Sequence, residues 1–200
     1  MFEQKLKGKI IAMMATDGFE ESELFEPKEA FEKAGARVDI VSIKEGEIKA
    51  WNKDKWGKTI RVDVLASSTN ADDYNALVLP GGVMNPDQLR IDEDAVHFAN
   101  QFMIAGKPIA AICHGPWLLI ETGIVRGRTL TSWPSLKSDL TNAGAKWVDQ
   151  EVVVDNGLIT SRKPSDIPAF CKKVIEEIIE GVHTPLKSKS SLTSERAILT

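Results

Sequence analysis

The stretch AAICHGPWLLI, residues 110–120, runs apolar up to Cys113, sets His114 beside it, and passes through Gly115 into a helical pattern. Upstream, KPIAAIC is almost wholly apolar, as expected of a strand covered on both faces. A strand that stops at a cysteine and turns at once into a helix holds that residue in a strained conformation, and the tight turn demands small neighbours. Ala111 and Gly115, two residues before and two after Cys113, meet that demand. The pattern is that of a nucleophile elbow with cysteine as the nucleophile. The helix that follows aims backbone N–H groups and its positive end at the sulfur, which favours thiolate over thiol and predicts reactivity near neutral pH.

A lone cysteine is commonly a small core residue. What argues otherwise for Cys113 is CHGP, because a polar histidine at the end of so apolar a strand is costly unless it faces a site. Cys171 fails the same test. It stands in an amphipathic segment beside Phe170 and Val174 and is expected to pack.

Working outward, apolar β-rich runs alternate with amphipathic helical ones. KIIAMMAT, RVDIVSI, YNALVLPGG and KPIAAIC read as core strands, and ESELFEPKEAFEKAG, DEDAVHFANQFMIAG, PWLLIETGIV, SLKSDLTNAG and DIPAFCKKVIEEIIEG as helices. The segment from about Lys44 to Val64 alternates around polar turns and predicts a β excursion at a sheet edge. Asp155-Asn156-Gly157 is a turn between two strands. This alternation predicts an α/β domain over residues 1–181, a mainly parallel sheet with helices on both faces. Residues 182–200 are polar and rich in Ser and Lys, and are expected to form a tail with little fixed structure or one that folds against a partner subunit.

Composition excludes several classes. With 42% hydrophobic residues in 200, the chain can bury one sizeable core, and a net charge of −4 with scattered basic residues gives no footprint for nucleic acid. No stretch approaches the roughly 20 apolar residues of a membrane span, and the short apolar run near the N-terminus lacks a signal-peptide cleavage pattern. A cytoplasmic protein is expected. Two distant cysteines suggest neither a disulfide framework nor a zinc site, and the absence of a G-x-G-x-x-G or P-loop pattern implies no cofactor.

AICHGPWLL, together with LPGG, FEESEL, NAGAKWVDQEVVVD and LITSR, resembles the PfpI-type branch of the DJ-1/PfpI superfamily, over about residues 8–181. The resemblance implies a flavodoxin-like sandwich and a homodimer, in some cases a hexamer, with the site beside a subunit interface. It also implies Cys113 as nucleophile, His114 as its partner, and the backbone amides of Gly82 and His114 as an oxyanion hole. A glycine turn after a strand can present such a donor with no side chain in the way.

The family further places a glutamate from the loop after the first strand against the cysteine, and DGFEESE assigns this to Glu20. Glu21 and Glu23 compete for the place, but both suit the first turn of a helix, where acids complement the dipole. A carboxylate beside a thiolate is repelled, so the pair should share a proton. The resemblance also assigns Asp87 as an acid reaching the histidine from the neighbouring subunit. A helix-capping role after Pro86 competes there. Trp133 stands where some relatives carry tyrosine, and Trp117 is a second bulky residue; either could narrow access. Trp51, Trp56 and Trp147 are expected to be buried or in subunit contacts, and neither His97 nor His183 reads as catalytic.

Three reactions use such a thiol. Cys113 can attack an acyl carbonyl, as in an intracellular cysteine peptidase. It can add to a reactive aldehyde, as in glyoxalase- or deglycase-like chemistry. It can also be oxidised to sulfenic or sulfinic acid as a peroxide sensor. An acid held against the nucleophile favours aldehyde chemistry, so a stress-protection enzyme acting on reactive carbonyls is the leading expectation. An amidotransferase is disfavoured because SRKPSD offers no late histidine.

Overall fold

The computed structural model describes residues 4–184. Strand β1 (Ile10–Met14) is central, and its residues alternate between two cores: Ile11 and Met13 face one side, Ala12 and Met14 the other. The central sheet also contains β3 (Arg37–Ser42), β6 (Val64–Leu65), β7 (Ala76–Leu79), β8 (Ile109–Ile112), β11 (Val152–Asp155) and β12 (Leu158–Ser161), in the order β11-β12-β8-β7-β1-β3-β6. Every pairing is parallel except that of β11 with β12. The expected flavodoxin-like sandwich is the fold found.

Helices cover both faces. Phe31 of α1 (Glu21–Lys33) and Phe170 and Val174 of α6 (Ile167–Glu180) fill one core. Phe98 and Phe102 of α3 (Glu93–Ala105), Leu118 and Leu119 of α4 (Pro116–Thr122) and Leu140 of α5 (Lys137–Asn142) fill the other. Cys171 is buried in the first of these cores, in the packing role its helical pattern predicts. The short helix α2 (Met84–Leu89), which the sequence pattern did not predict, follows LPGG.

The β excursion departs from expectation. Strands β4 (Glu47–Asn52) and β5 (Lys55–Arg61) form a hairpin, but they join no edge of the central sheet; with β2 (Phe19–Glu20) they make a separate three-stranded sheet. The cause is β2 itself, two residues beyond β1 that pair with Ala50 and Trp51 and draw the hairpin over the strand ends. A further two-stranded pairing joins β9 (Thr129–Leu130) to β10 (Lys146–Trp147).

The expected tail begins at residue 182, yet its first residues lie against the domain: the His183 N–H donates to Gly106 O (2.8 Å). Residues 185–200 lie outside the described part of the chain. The strand order reverses direction between β1 and β7, and in sheets of this kind a site forms beyond the C-terminal strand ends at that point. The loops after β1, β7 and β8 meet there.

Candidate active site

Cys113 follows β8 directly and has φ +62°, a left-handed conformation that a residue with a side chain adopts only under constraint. The constraint is visible on both sides. The Cys113 N–H donates to Ser161 O (3.0 Å), and its carbonyl accepts from the Trp133 N–H (2.9 Å). Gly115 lies so close to β7 that a Cβ there would be 2.5 Å from Leu79 O. The elbow read from AICHG is therefore present, with glycine where the chains touch.

The backbone amides of Gly82 and His114 both point at the Cys113 sulfur and favour its charged form. The LPGG loop that carries the first of them is anchored by Asn85, fully buried. Its amide donates to Pro80 O (2.9 Å) and Gly81 O (3.1 Å), and its oxygen accepts from the Thr16 N–H (2.8 Å). Sequence reading did not single out Asn85. Two fixed donors converging on one position are the geometry that stabilises an oxyanion.

The carboxylate that faces the sulfur belongs to Glu23. Its side chain is fully buried, Oε2 accepts from the Gly81 N–H (2.9 Å), and Oε1 has no hydrogen-bond partner of its own. Gly81 lies between acid and thiol: a Cβ on it would be 2.5 Å from Glu23 Oε2 and 2.6 Å from Cys113 Cβ. Burial, and then the charge of Glu20, push the Glu23 carboxyl up to about 8, against the pull of the Gly81 N–H. It is therefore neutral at pH 7 and carries a proton toward the sulfur.

Glu20, the residue expected in that place, is elsewhere. It stands at the helix N-cap with an extended backbone (φ −67°, ψ 122°), and its carboxylate accepts from Ser22 Oγ (3.0 Å). It lines the same pocket as Cys113.

The thiol differs from expectation as well. Burial pushes its pKa upward, the negative charge of Glu23 adds to this, and the two amides pull it down. The repulsion disappears once Glu23 holds its proton, so the pair titrates as one unit. A seven-residue helix does not outweigh burial while both groups compete for charge.

His114 lies beside the sulfur, Nδ1 to Sγ 3.3 Å, and its Nε2 meets Ser135 Oγ at 3.2 Å. Burial lowers its pKa, so the ring is neutral near pH 7. Trp133 stacks on it (centroids 6.2 Å, interplanar angle 26°) and Trp117 meets it edge-on (6.0 Å). Within the chain the histidine's second partner is thus a serine. Asp87 lies exposed on α2 and shares no described contact with His114.

The pocket above Cys113 has a volume of about 420 Å³ and is walled by Trp51 and Lys53 of the hairpin, Val83, Trp133 and Pro164. Trp133, 40% exposed, narrows it, as its bulk suggests. Trp51, expected to be buried or in a subunit contact, is half-buried within the chain at the pocket, edge-on to Trp56.

The family model described as "DJ-1/PfpI family" matches residues 9–177. The chain belongs to the DJ-1/PfpI family. It is 45% identical to General stress protein 18 of Bacillus subtilis over 82% of this chain and 94% of that protein. It is 42% identical to Protein/nucleic acid deglycase 2 of Escherichia coli, over 84% of this chain and 96% of that one. Among solved structures, Drosophila melanogaster DJ-1beta superposes with a TM-score of 0.78 at 30% identity, covering 86% of this chain and 90% of the other. The DJ-1/PfpI match spans the elbow, the LPGG loop and α1, so the whole pocket floor lies inside it.

Proposed function

We propose that this DJ-1/PfpI chain is a cysteine-dependent stress-protection enzyme that acts on reactive carbonyls, with Cys113 as nucleophile. One observation carries the reading: a neutral, buried carboxyl of Glu23 facing the sulfur, opposite two convergent amides. Peptide hydrolysis has little use for an acid against its nucleophile. Addition to an aldehyde uses one at once.

With an α-oxoaldehyde such as methylglyoxal, the reacting form is the pair that has lost one proton: Cys113 sulfur bonds as thiolate to the aldehyde carbon while Glu23 gives the remaining proton to the carbonyl oxygen. The amides of Gly82 and His114 hold the oxygen as charge develops on it. Glu23, now a carboxylate, removes the hydrogen on that carbon and returns a proton to the neighbouring carbon, while the hydroxyl proton passes to the neighbouring oxygen, leaving a 2-hydroxy thioester on Cys113. Water cleaves the thioester to lactate and restores the thiol. The neutral His114, fixed by Ser135, is placed to activate that water. A glycated amine, the substrate class suggested by the name of the Escherichia coli relative, joins the same sequence when sulfur displaces the amine from its hemiaminal carbon and Glu23 protonates the departing nitrogen, giving the same hemithioacetal.

The reading includes a homodimer or hexamer. Val83, Met84 and Trp133 expose apolar surface around the pocket mouth, and Asp87 on the same short helix is available to a partner's site. No helix among the described residues is long and apolar enough to cross a membrane, and a cytoplasmic setting, which keeps Cys113 reduced, fits the proposed chemistry.

The test is methylglyoxal consumption and lactate formation without glutathione, comparing wild type, Cys113→Ser, Glu23→Gln and Glu20→Gln. Loss in the first two variants with turnover retained in the third supports the assignment. A silent wild-type protein that cleaves peptides would move the site to the peptidase reading.

A further inference from the structure

The far end of the molecule holds a second cluster of side chains that the chemistry at Cys113 does not use. Glu177, Glu180 and His183 bring one ligand atom each to within 4.8 Å of one another. Glu177 and Glu180 lie three apart on the last turn of α6 and share a face. Gly181 (φ +92°) then ends the helix, and the chain turns so that His183 meets Glu177.

This position of His183 is built. Its N–H donates to Gly106 O, and its carbonyl approaches Gly106 so closely that a Cβ there would be 2.3 Å away. Its ring lies over Gly157 in the β11–β12 turn, where a Cβ would be 2.6 Å from Cδ2. Asn156 of the same turn donates to Thr184 O (3.3 Å). Two glycines from separate loops thus leave the space this histidine occupies.

Glu177 Oε2 and His183 Nε2 stand 3.0 Å apart, and both atoms are buried, yet their alignment is not that of a hydrogen bond. Two ligand atoms aimed past each other at such a separation need only a small shift to close on one ion: metal–ligand bonds of about 2.0–2.1 Å put neighbouring tetrahedral ligands roughly 3.3–3.4 Å apart. Electrostatics agrees. The C-terminal end of a helix carries partial negative charge, and α6 places Glu177 and Glu180 there with no basic residue in its last turn. Of the groups around Glu177, His183 and Lys173 offset the repulsion from Glu176 and Glu180, and a bound cation would offset it further.

We propose that Glu177, Glu180 and His183 form a binding site for a divalent transition-metal ion, Zn²⁺ by its donor set of one imidazole nitrogen and two carboxylate oxygens, with water completing the shell. The ion ties the start of the C-terminal segment to α6 and to the β11–β12 turn. It is a structural clamp, remote from Cys113.

The experiment is calorimetric titration of ZnCl₂ into the EDTA-treated, dialysed full-length chain, with thermal unfolding in parallel. Because a thiol also binds zinc, Cys113→Ser serves as the background and Glu180→Gln, an exposed change that leaves the fold intact, as the ligand variant alongside His183→Ala. One equivalent bound in the Cys113→Ser background, an upward shift in Tm with zinc, and roughly tenfold or greater weakening in Glu180→Gln and His183→Ala are expected. No binding in the Cys113→Ser background, or full binding by both ligand variants, overturns the site.

Discussion

Glu23 and Cys113 face each other across Gly81, and the pair is too buried for both members to carry charge together. An acid that holds its proton beside a thiol sets both when the sulfur is nucleophilic and where the proton goes after attack. The pair's first ionisation, not that of a free cysteine, governs the site.

That relationship predicts a pH profile. With the Glu23 carboxyl raised to about 8, kcat/KM should climb as pH rises through roughly that value, where the pair loses its first proton. Glu23→Gln should displace this limb and reduce the maximum by ~10²-fold or more, the usual yield of a positioned acid or base. Steady-state rates from pH 5 to 10 check it; an unchanged limb in Glu23→Gln would remove Glu23 from the mechanism.

Stability follows the same group with a definite sign. The folded pKa lies above the unfolded value of 4.5, so the native state holds the proton more tightly. The contribution is full below pH 4.5 and is lost as pH rises to about 8. Relative to Glu23→Gln, wild type should therefore weaken between these values by at most about 1.4 kcal/mol per pH unit, then level off. Urea midpoints across that range report it.

Cys113→Ser should abolish turnover. Cys171→Ser should leave kcat/KM nearly intact, since Cys171 packs inside α6 against the core and touches no part of the pocket. Equal loss in both variants, measured by lactate formation, contradicts the assignment.

Ser135 offers a finer probe. Its hydroxyl meets His114 Nε2, so Ser135→Ala should lower kcat several-fold with little change in KM, while Ser135→Thr restores much of the loss. Loss of a neutral hydrogen bond worth about 1 kcal/mol sets that scale.

Gly115→Ala tests the elbow. The added methyl would lie 2.5 Å from Leu79 O and 2.9 Å from Ile112 O, backbone atoms that cannot swing aside. A cost of about 1–3 kcal/mol is expected from such overpacking, with a larger proportional loss of activity because Cys113 moves with it. Thermal unfolding and rates on the same preparation separate the two effects.

Much of this was legible in the sequence. Apolar strands, the helical segments between them and the small residues around Cys113 are local signals that point to the sandwich and the elbow, whereas the Gly82 and His114 donors come from the family resemblance. Which glutamate faces the sulfur depends on helix phase, and the structure places Glu23 there where Glu20 was expected. Glu20 is the nearer residue along the chain, but it precedes the first turn of α1 and accepts from Ser22 Oγ, and Glu23 lies on the helix face that buries Leu24, Pro27 and Phe31. An acid on an apolar stripe was the available signal. Ser135 and Asn85 act through loop geometry that no periodicity reports, and β2 is too short to register as a strand, which is why the hairpin was expected at the main sheet's edge.

That hairpin has a consequence for how such a molecule can diversify. The sulfur, its amides and its acid stand on the central sheet and α1, whereas Trp51 and Lys53, which border the entrance, stand on β4 and the turn beyond it in a separate small sheet. Door and engine have different foundations. Substitutions between residues 44 and 64 can therefore alter which molecules are admitted while the reacting atoms stay in register, so new selectivity can be explored without dismantling the chemistry.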